Sequence, residues 1–558
     1  MQMSVSSTSS STSSTTSSVS SVTGLDYDAL VATVVAAKST RADSIDVQIT
    51  ENEAKVAAYE EGQTLLATLT TAADALTATV GYSTSSSDLF EKRTAYLSGA
   101  SNASSLLGVT VDDGTQEGSY SVEIKQLAEA QKISSGTQTS STDDLGLTGS
   151  FTIASGSGTA KTITITESSS LTDIASAINS GSSASGVSAS ILKVSDSDYR
   201  LILTATDTGQ EITFGDETGS VLSSLGLTDT DGNIANELTA AQSAIIVIDG
   251  VEITRDSNTI SDALDGITLD LYGAEEGTTL TVEVDTDLSA VKDGITALVD
   301  AYNDVREYLL TQQNMGTEDS DDEDTSTSAL FADSLLRQIS TSISTALNYS
   351  YGETSIATLG LSFDENNKLV LDEDVLDDAL ISSLDDVKSL LSFNMESSST
   401  DLSILRRPSS LSADDFTLDI TVDESGSITG VSVDGDSSKF TISGTRISGV
   451  DGTEYAGLVF VYTGDTASVD VKLTTGIAEM LYQTAYTASN SSDGSLQSKI
   501  DELTEYNTDL ESRATDIRTK AEEYGENLRS YYARLEAKAQ TAKILLDQLE
   551  ASSSSDDE

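Results

Sequence analysis

The sequence predicts a multidomain α+β protein in which long N- and C-terminal coiled-coil helices form a leg and β-rich head domains lie between them. Three observations predict it. A heptad stripe runs near the C-terminus, a rougher stripe of the same spacing runs near the N-terminus, and short alternating strands bounded by Gly and Ser fill the middle. The 558 residues allow roughly three or four domains with real cores.

The C-terminal stripe comprises Leu496, Ile500, Leu503, Asn507, Leu510, Ala514, Ile517, Ala521, Tyr524, Leu528, Tyr531, Leu535, Lys538, Ala542, Leu545 and Leu549. The steps alternate between four and three, fourteen of the sixteen positions are apolar or Tyr, and the register never slips. Such a stripe without a proline specifies one helix, roughly 80 Å long, that buries a face against another helix. Asn507 and Lys538 interrupt it. Each either fixes register as a buried polar group or marks exposure where the partner helix has ended, and both readings stay open.

After Asp26, the positions Ile45, Ile49, Val56, Tyr59, Leu66, Leu69, Ala73, Leu76 and Val80 fall on similar spacing, with Asn52 in phase. Gly62 interrupts this seam and Gln63 puts a polar group into it. Two amphipathic helices on separate domains would satisfy the same pattern. The favoured reading packs the two helices on each other and brings both chain ends to one pole.

Charge supports the division. The chain carries 91 acids against 29 bases, a net of −62. Residues 496–550 contribute −4 and residues 26–80 contribute −6, whereas residues 81–495 contribute −49. A nearly balanced leg suits interlocking helices. The anionic head will repel nucleic acid and anionic membranes, and it fits either a saline setting, where counterions screen repulsion, or solubility alone. Cys, His and Trp are absent, and Pro408 is the only proline. Without Cys or His, a structural zinc site, a thiol nucleophile and a Ser-His-Asp triad are excluded. No run of about twenty apolar residues spans a membrane. Residues 1–23 are mostly Ser and Thr, unlike a secretory signal peptide, and read as a disordered tail. The lack of Cys fits the cytosol, and equally export in an unfolded state.

In the middle, strands are expected over residues 121–124, 151–153 and 162–166, then a short helix carrying Leu171, Ile174, Ala175 and Ile178, then strands over 187–194 and 199–204. Residues 149–209 thus read as one compact unit. A second unit starts with a strand over 244–248, turns at Asp249-Gly250, and continues through strands over 251–254, 268–272 and 279–284. A helix over 288–310 follows, with Val291, Ile295, Leu298, Val299, Tyr302 and Val305 on one face. An acidic linker follows around 318–324. Helices over 330–347 and 374–393 come next, then strands over 416–422, 428–433, 458–462 and 467–473. As domains this reads 1–23 tail, 24–95 leg, 96–148 and 241–315 head, 149–240 inserted module, 316–328 linker, 329–400 helical, 401–480 β-rich, 481–550 leg and 551–558 acidic tail.

No catalytic, cofactor or metal site is expected. Asp229, Asp231 and Asn233 around Gly232 resemble a calcium loop without its later Glu, and the 318–324 run has no turn Gly among its acids. No pattern selects a carboxylate pair for glycoside hydrolysis.

Three stretches carry a family resemblance. Gly24-Leu25-Asp26-Tyr27-Asp28-Ala29-Leu30-Val31 opens the first helix. Ile248-Asp249-Gly250-Val251-Glu252-Ile253-Thr254-Arg255-Asp256-Ser257-Asn258 precedes Leu264-Asp265-Gly266-Ile267-Thr268-Leu269 and Leu298-Val299-Asp300-Ala301-Tyr302-Asn303. Gly452-Thr453-Glu454-Tyr455-Ala456-Gly457-Leu458-Val459-Phe460 leads through Gly476-Ile477-Ala478 into the last helix. Residues 149–209, with Ala177-Ile178-Asn179, also look like the small module that flagellar axial proteins insert in their heads. The chain resembles the flagellar filament-capping family, hook-associated protein 2.

The resemblance implies a non-enzymatic cap at the distal filament tip, exported unfolded through the flagellar type III channel without a cleaved signal. It implies promotion of flagellin insertion and folding. It implies as partners a ring of its own copies (a homopentamer as the best guess), flagellin, hook–filament junction proteins and an export chaperone, with no nucleic acid and no membrane. The interface residues it implies in the leg are Leu496, Ile500, Leu503, Leu510, Ile517, Tyr524, Leu528, Leu535, Leu545 and Leu549 with Ile45, Ile49, Val56 and Tyr59. The alternatives are a surface adhesin whose acidic head binds mucin or another cell surface, and another flagellar axial protein.

Overall fold

The structure, a computed structural model, describes residues 24–77, 88–313, 327–408 and 413–553. The expected Ser/Thr tail, Val80, the acidic run 318–324 and most of the expected acidic tail lie outside them. The chain divides into two compact units, Asp88–Val291 and the remainder, Met1–Ser87 with Lys292–Glu558.

Asp88–Val291 is built on antiparallel sheets. One has five strands in the order Arg93–Ser98, Thr279–Thr286, Gly118–Gln126, Ala244–Ile248, Val251–Arg255. A second has Thr259–Leu264, Ile267–Leu271 and Leu107–Val111. The two share a core that includes Leu107, Val122, Ile246, Leu269 and Val282. The Asp249-Gly250 turn is as expected: both residues have positive φ, 47° and 81°, which suits a two-residue hairpin between right-twisted strands.

A module inserted in this unit packs two further sheets around the helix Leu171–Asn179. That helix is started by a reciprocal capping box between Ser170 and Asp173. The module is larger than residues 149–209. Gly149–Ser155 pairs on one side with Lys161–Ile165 and on the other with Ile212–Thr218, so Val221, Leu225 and Leu227 enter the same core, as does Ile133. Asn179 exchanges two 2.8 Å hydrogen bonds with the backbone of Ala189 and so seals part of an edge strand. The calcium-like loop closes on itself: Asp229 accepts backbone hydrogen bonds from Asp231 and Asn233 at 2.9 Å. Among the described residues, no group of three or more carboxylates is placed to hold a metal ion.

The other unit contains a β-sandwich and a helical body. One sandwich sheet runs Asn394–Ser397, Ala467–Thr474, Asp415–Val422, Ile428–Ser432, and the other runs Leu402–Arg406, Val459–Tyr462, Arg446–Gly449, Phe440–Ser443. Phe416, Phe440, Tyr455 and Phe460 fill the space between them, with the Phe416 and Tyr455 rings edge to face at 5.0 Å. The expected helix over 374–393 is two helices, Glu373–Ser382 and Leu384–Leu391, broken at Ser383. The helix expected before it starts later than residue 330, at Ser334, because Asp333 caps it by accepting from the backbone N–H of Leu335 and Leu336 at 2.9 Å.

Two long helices complete this unit. The first, Tyr27–Asp74, is 48 residues long and starts at the N-cap Asp26. The last, Ser495–Ser553, is 59 residues long, close to 90 Å at the rise of an α-helix. Gly62 does not interrupt the first helix. It is buried within it. No helix among the described residues is long and apolar enough to cross a membrane.

Candidate interface of the leg

The long helices pack on each other in antiparallel register. Pairs along the seam show it, because one residue number rises as the other falls. Gln63 donates to Gln497 at 3.1 Å, Asn52 donates to Asn507 at 2.8 Å, and Arg518 pairs with Asp43 at 3.2 Å and with Asp46. Further along, Lys38 sits 4.3 Å from the Tyr524 ring centroid, and Tyr27 stacks on Tyr532 at 4.7 Å. Asn52 and Asn507 are both buried, so the in-phase polar residues answer each other across the seam. Lys538 is exposed, beyond the last residue that the first helix can oppose.

The seam leads at one end into the helical body. Tyr59 donates its hydroxyl to the second carboxylate oxygen of Asp333 at 2.9 Å, so one side chain caps a helix and anchors the seam. Burial, helped by that hydrogen bond, pushes the Tyr59 phenol well above its ordinary pKa. Tyr308, from the helix Leu288–Gln312, donates to the Ala58 carbonyl at 2.7 Å and lies over Gly62.

Of the residues expected at the interface, Leu496, Ile500, Leu510, Ile49 and Tyr59 are buried, and Leu503, Ile517, Leu528, Ile45 and Val56 are partly buried. Leu535, Leu545 and Leu549 are exposed and are not brought into the intrachain seam, and Tyr524, also exposed, meets the first helix through Lys38 at the edge of the seam. The unbroken register is therefore not followed to the end. After Ala521 the buried positions pass to Gly525, with Tyr532 on the same side, and Tyr524 and Tyr531 turn outward.

Two residues explain the change of phase. Lys38 occupies the seam position of the first helix that faces Tyr524, and an ammonium resists burial. One residue on, Gly525 allows close approach, since a Cβ there would lie 2.6 Å from Val35. The first helix also joins the seam earlier than expected, at Val31, Val35 and Ala42. Stepping back from Ile45 by three and four reaches Ala42, Lys38, Val35 and Val31, so the signal was in the sequence. Lys38→Leu is expected to draw Tyr524 inward and stabilise the leg by about 1 kcal/mol, apolar burial outweighing the lost cation–π contact. A raised urea midpoint would show this, and a lowered one would mean the ammonium is what holds Tyr524.

A model of the flagellar hook-associated protein 2 C-terminus matches residues 241–543, and one of its N-terminus matches residues 23–131. The chain belongs to the flagellar hook-associated protein 2 family. A model of the flagellin hook IN motif matches residues 150–207, inside the inserted module. The flagellar hook-associated protein 2 of Escherichia coli K12 is 32% identical over 379 residues, covering 64% of this chain and 76% of that protein. The B-type flagellar hook-associated protein 2 of Pseudomonas aeruginosa is 27% identical over 322 residues, covering 54% and 67%. The fold is similar to that of the D1-D2-D3 domains of the flagellar cap protein FliD from Escherichia coli. That similarity has a TM-score of 0.50 at 23% identity, over 80% of this chain and 99% of that one.

Proposed function

We propose that this chain caps the distal tip of the bacterial flagellar filament, where it promotes insertion and folding of exported flagellin and prevents its loss. One observation about the leg supports the reading beyond family membership. The heptad stripe continues where the intrachain seam has left it. Tyr524, Tyr531, Leu535, Leu545 and Leu549 share one face of the last helix and are 41–66% exposed. A face with this repeat suits a helical partner. The first helix, which begins at Tyr27 opposite Tyr532, is too short to serve Leu535, Leu545 and Leu549.

The partner we assign to this face is flagellin at the filament end. The buried seam residues hold the leg together and the exposed ones engage the filament. The cap acts as a ring of copies, with a homopentamer as the best guess, and with hook–filament junction proteins and an export chaperone as transient partners. None of this requires bond chemistry. Family matches over both the N- and C-terminal regions favour the cap over an adhesin.

The test is the triple variant Leu535→Asp, Leu545→Asp, Leu549→Asp, expressed in a strain lacking its own gene. These side chains are exposed, so the helical circular-dichroism signal should persist. Electron microscopy should show few or no filaments, with flagellin monomers in the medium. Filaments of normal length and number would overturn the assignment of this face.

A further inference from the structure

The sandwich joins the helical body through two adjacent chain crossings. One runs from the helix Leu384–Leu391 into the strand Asn394–Ser397, and the other from the strand Ala467–Thr474 into the helix Ile477–Ser489. Asn394 and Thr474 are paired residues of neighbouring strands, so the crossings lie side by side. Their backbones touch: a Cβ on Gly476 would lie 2.3 Å from the carbonyl carbon of Leu391 and 2.4 Å from the Ser392 oxygen. Two side-by-side strands make a neck, and a neck by itself defines an axis about which the two bodies can bend.

At the neck itself Tyr351, just after the helix Ser334–Leu347, donates to Glu396 and accepts from Asn394 at 2.9 Å. A further connection lies off that axis. Arg407, just after the sandwich strand Leu402–Arg406, donates to the Glu479 carboxylate at 2.8 Å, and both side chains are only 1% exposed. Glu479 stands in the first turn of the helix Ile477–Ser489, and its other oxygen accepts from Gln483 at 3.2 Å. The Arg407 guanidinium also lies 4.4 Å from the centroid of the Phe393 ring, in the first crossing. A buried pair costs much desolvation and is a poor source of stability compared with apolar packing. What a directional, charge-assisted hydrogen bond provides is a defined geometry.

We infer that the buried Arg407–Glu479 pair is a strut that fixes the sandwich to the helix Ile477–Ser489, so that the two turn as one body. That helix packs along the first long helix. Any rearrangement of the leg then takes place in the seam beyond Leu496, and not at the neck. The inference stands apart from the filament-capping reading, because its test reads a distance and not filaments.

The chain has no cysteine, so labels can be placed at will. Nitroxides at Ser443→Cys on the sandwich and Ala67→Cys on the first helix, both exposed positions, report the angle at the neck by double electron–electron resonance. In the full chain the distance distribution should be narrow. Glu479→Gln, which keeps the shape and removes one charge, should widen it roughly twofold. The pair R407M/E479L removes both charges. It should widen the distribution while leaving the melting temperature within a few degrees, a split that loss of mere packing would not produce. A broad distribution in the unaltered chain, or a narrow one in a folded R407M/E479L chain, would overturn the strut. So would failure of R407M/E479L to fold, because a device for orientation is dispensable for folding.

Discussion

Gly62→Ala is expected to destabilise the leg by about 2 kcal/mol, although alanine is the better helix former. A Cβ at this position would stand 2.8 Å from the Tyr308 hydroxyl oxygen and 2.9 Å from two of its ring carbons. Tyr308 is buried, and its hydroxyl donates to the Ala58 carbonyl on the same helix turn. The ring must move, which strains a packed interior by about 1–3 kcal/mol. Losing the buried hydrogen bond adds about 1–3 kcal/mol, whereas the gain in helix propensity returns only about 1 kcal/mol. Urea unfolding of the full chain measures the sum. A more stable variant would mean that Tyr308 swings clear at no cost and that the glycine has no packing role.

Gly62 also shows where sequence reading stops. Glycine is a poor helix former, so its presence in the stripe reads as an interruption. The reason for it is a tyrosine on a helix far along the chain, and no local pattern contains that information. The phase change at Ala521 is similar. The repeat in the last helix is unbroken, and only the juxtaposition with Lys38 and Val35 shows why Gly525, and not Tyr524, faces inward. By contrast, the long helices, the Asp249-Gly250 hairpin and the alternating strand Thr279–Thr286 were legible, because each satisfies a local rule of spacing or turn chemistry. The strands Asn394–Ser397, Leu402–Arg406, Phe440–Ser443 and Arg446–Gly449 were not. Each is four or five residues long, too short to show alternation above chance. The break at Ser383 did have a signal, a serine followed by Leu384-Asp385-Asp386, which is the usual start of a new helix.

Asn52 and Asn507 should show the largest energetic coupling in the seam. Replacing either by leucine leaves the other amide buried without its partner, at a cost of about 1–3 kcal/mol. Replacing both removes two polar groups and adds apolar contact, so the double variant is expected to be as stable as the parent or more so. The double-mutant cycle in urea therefore has a coupling energy of the order of the single losses. The more informative readout is register. The ion pairs across the seam are weaker guides, because the Arg518 guanidinium is 40% exposed and Asp43 and Asp46 more so, and exposed pairs hold about 0–1 kcal/mol. Small residues at Ala42, Ala514, Ala521 and Gly525 offer little resistance to sliding. With the amides gone, the helices should populate a shifted alignment, seen as a second distance between spin labels at Glu53→Cys and Glu505→Cys. A single unshifted distance in the stable double variant would place control of register in the larger apolar residues, Leu66, Leu69, Leu496 and Ile500. The asparagines would then be tolerated in the seam without directing it.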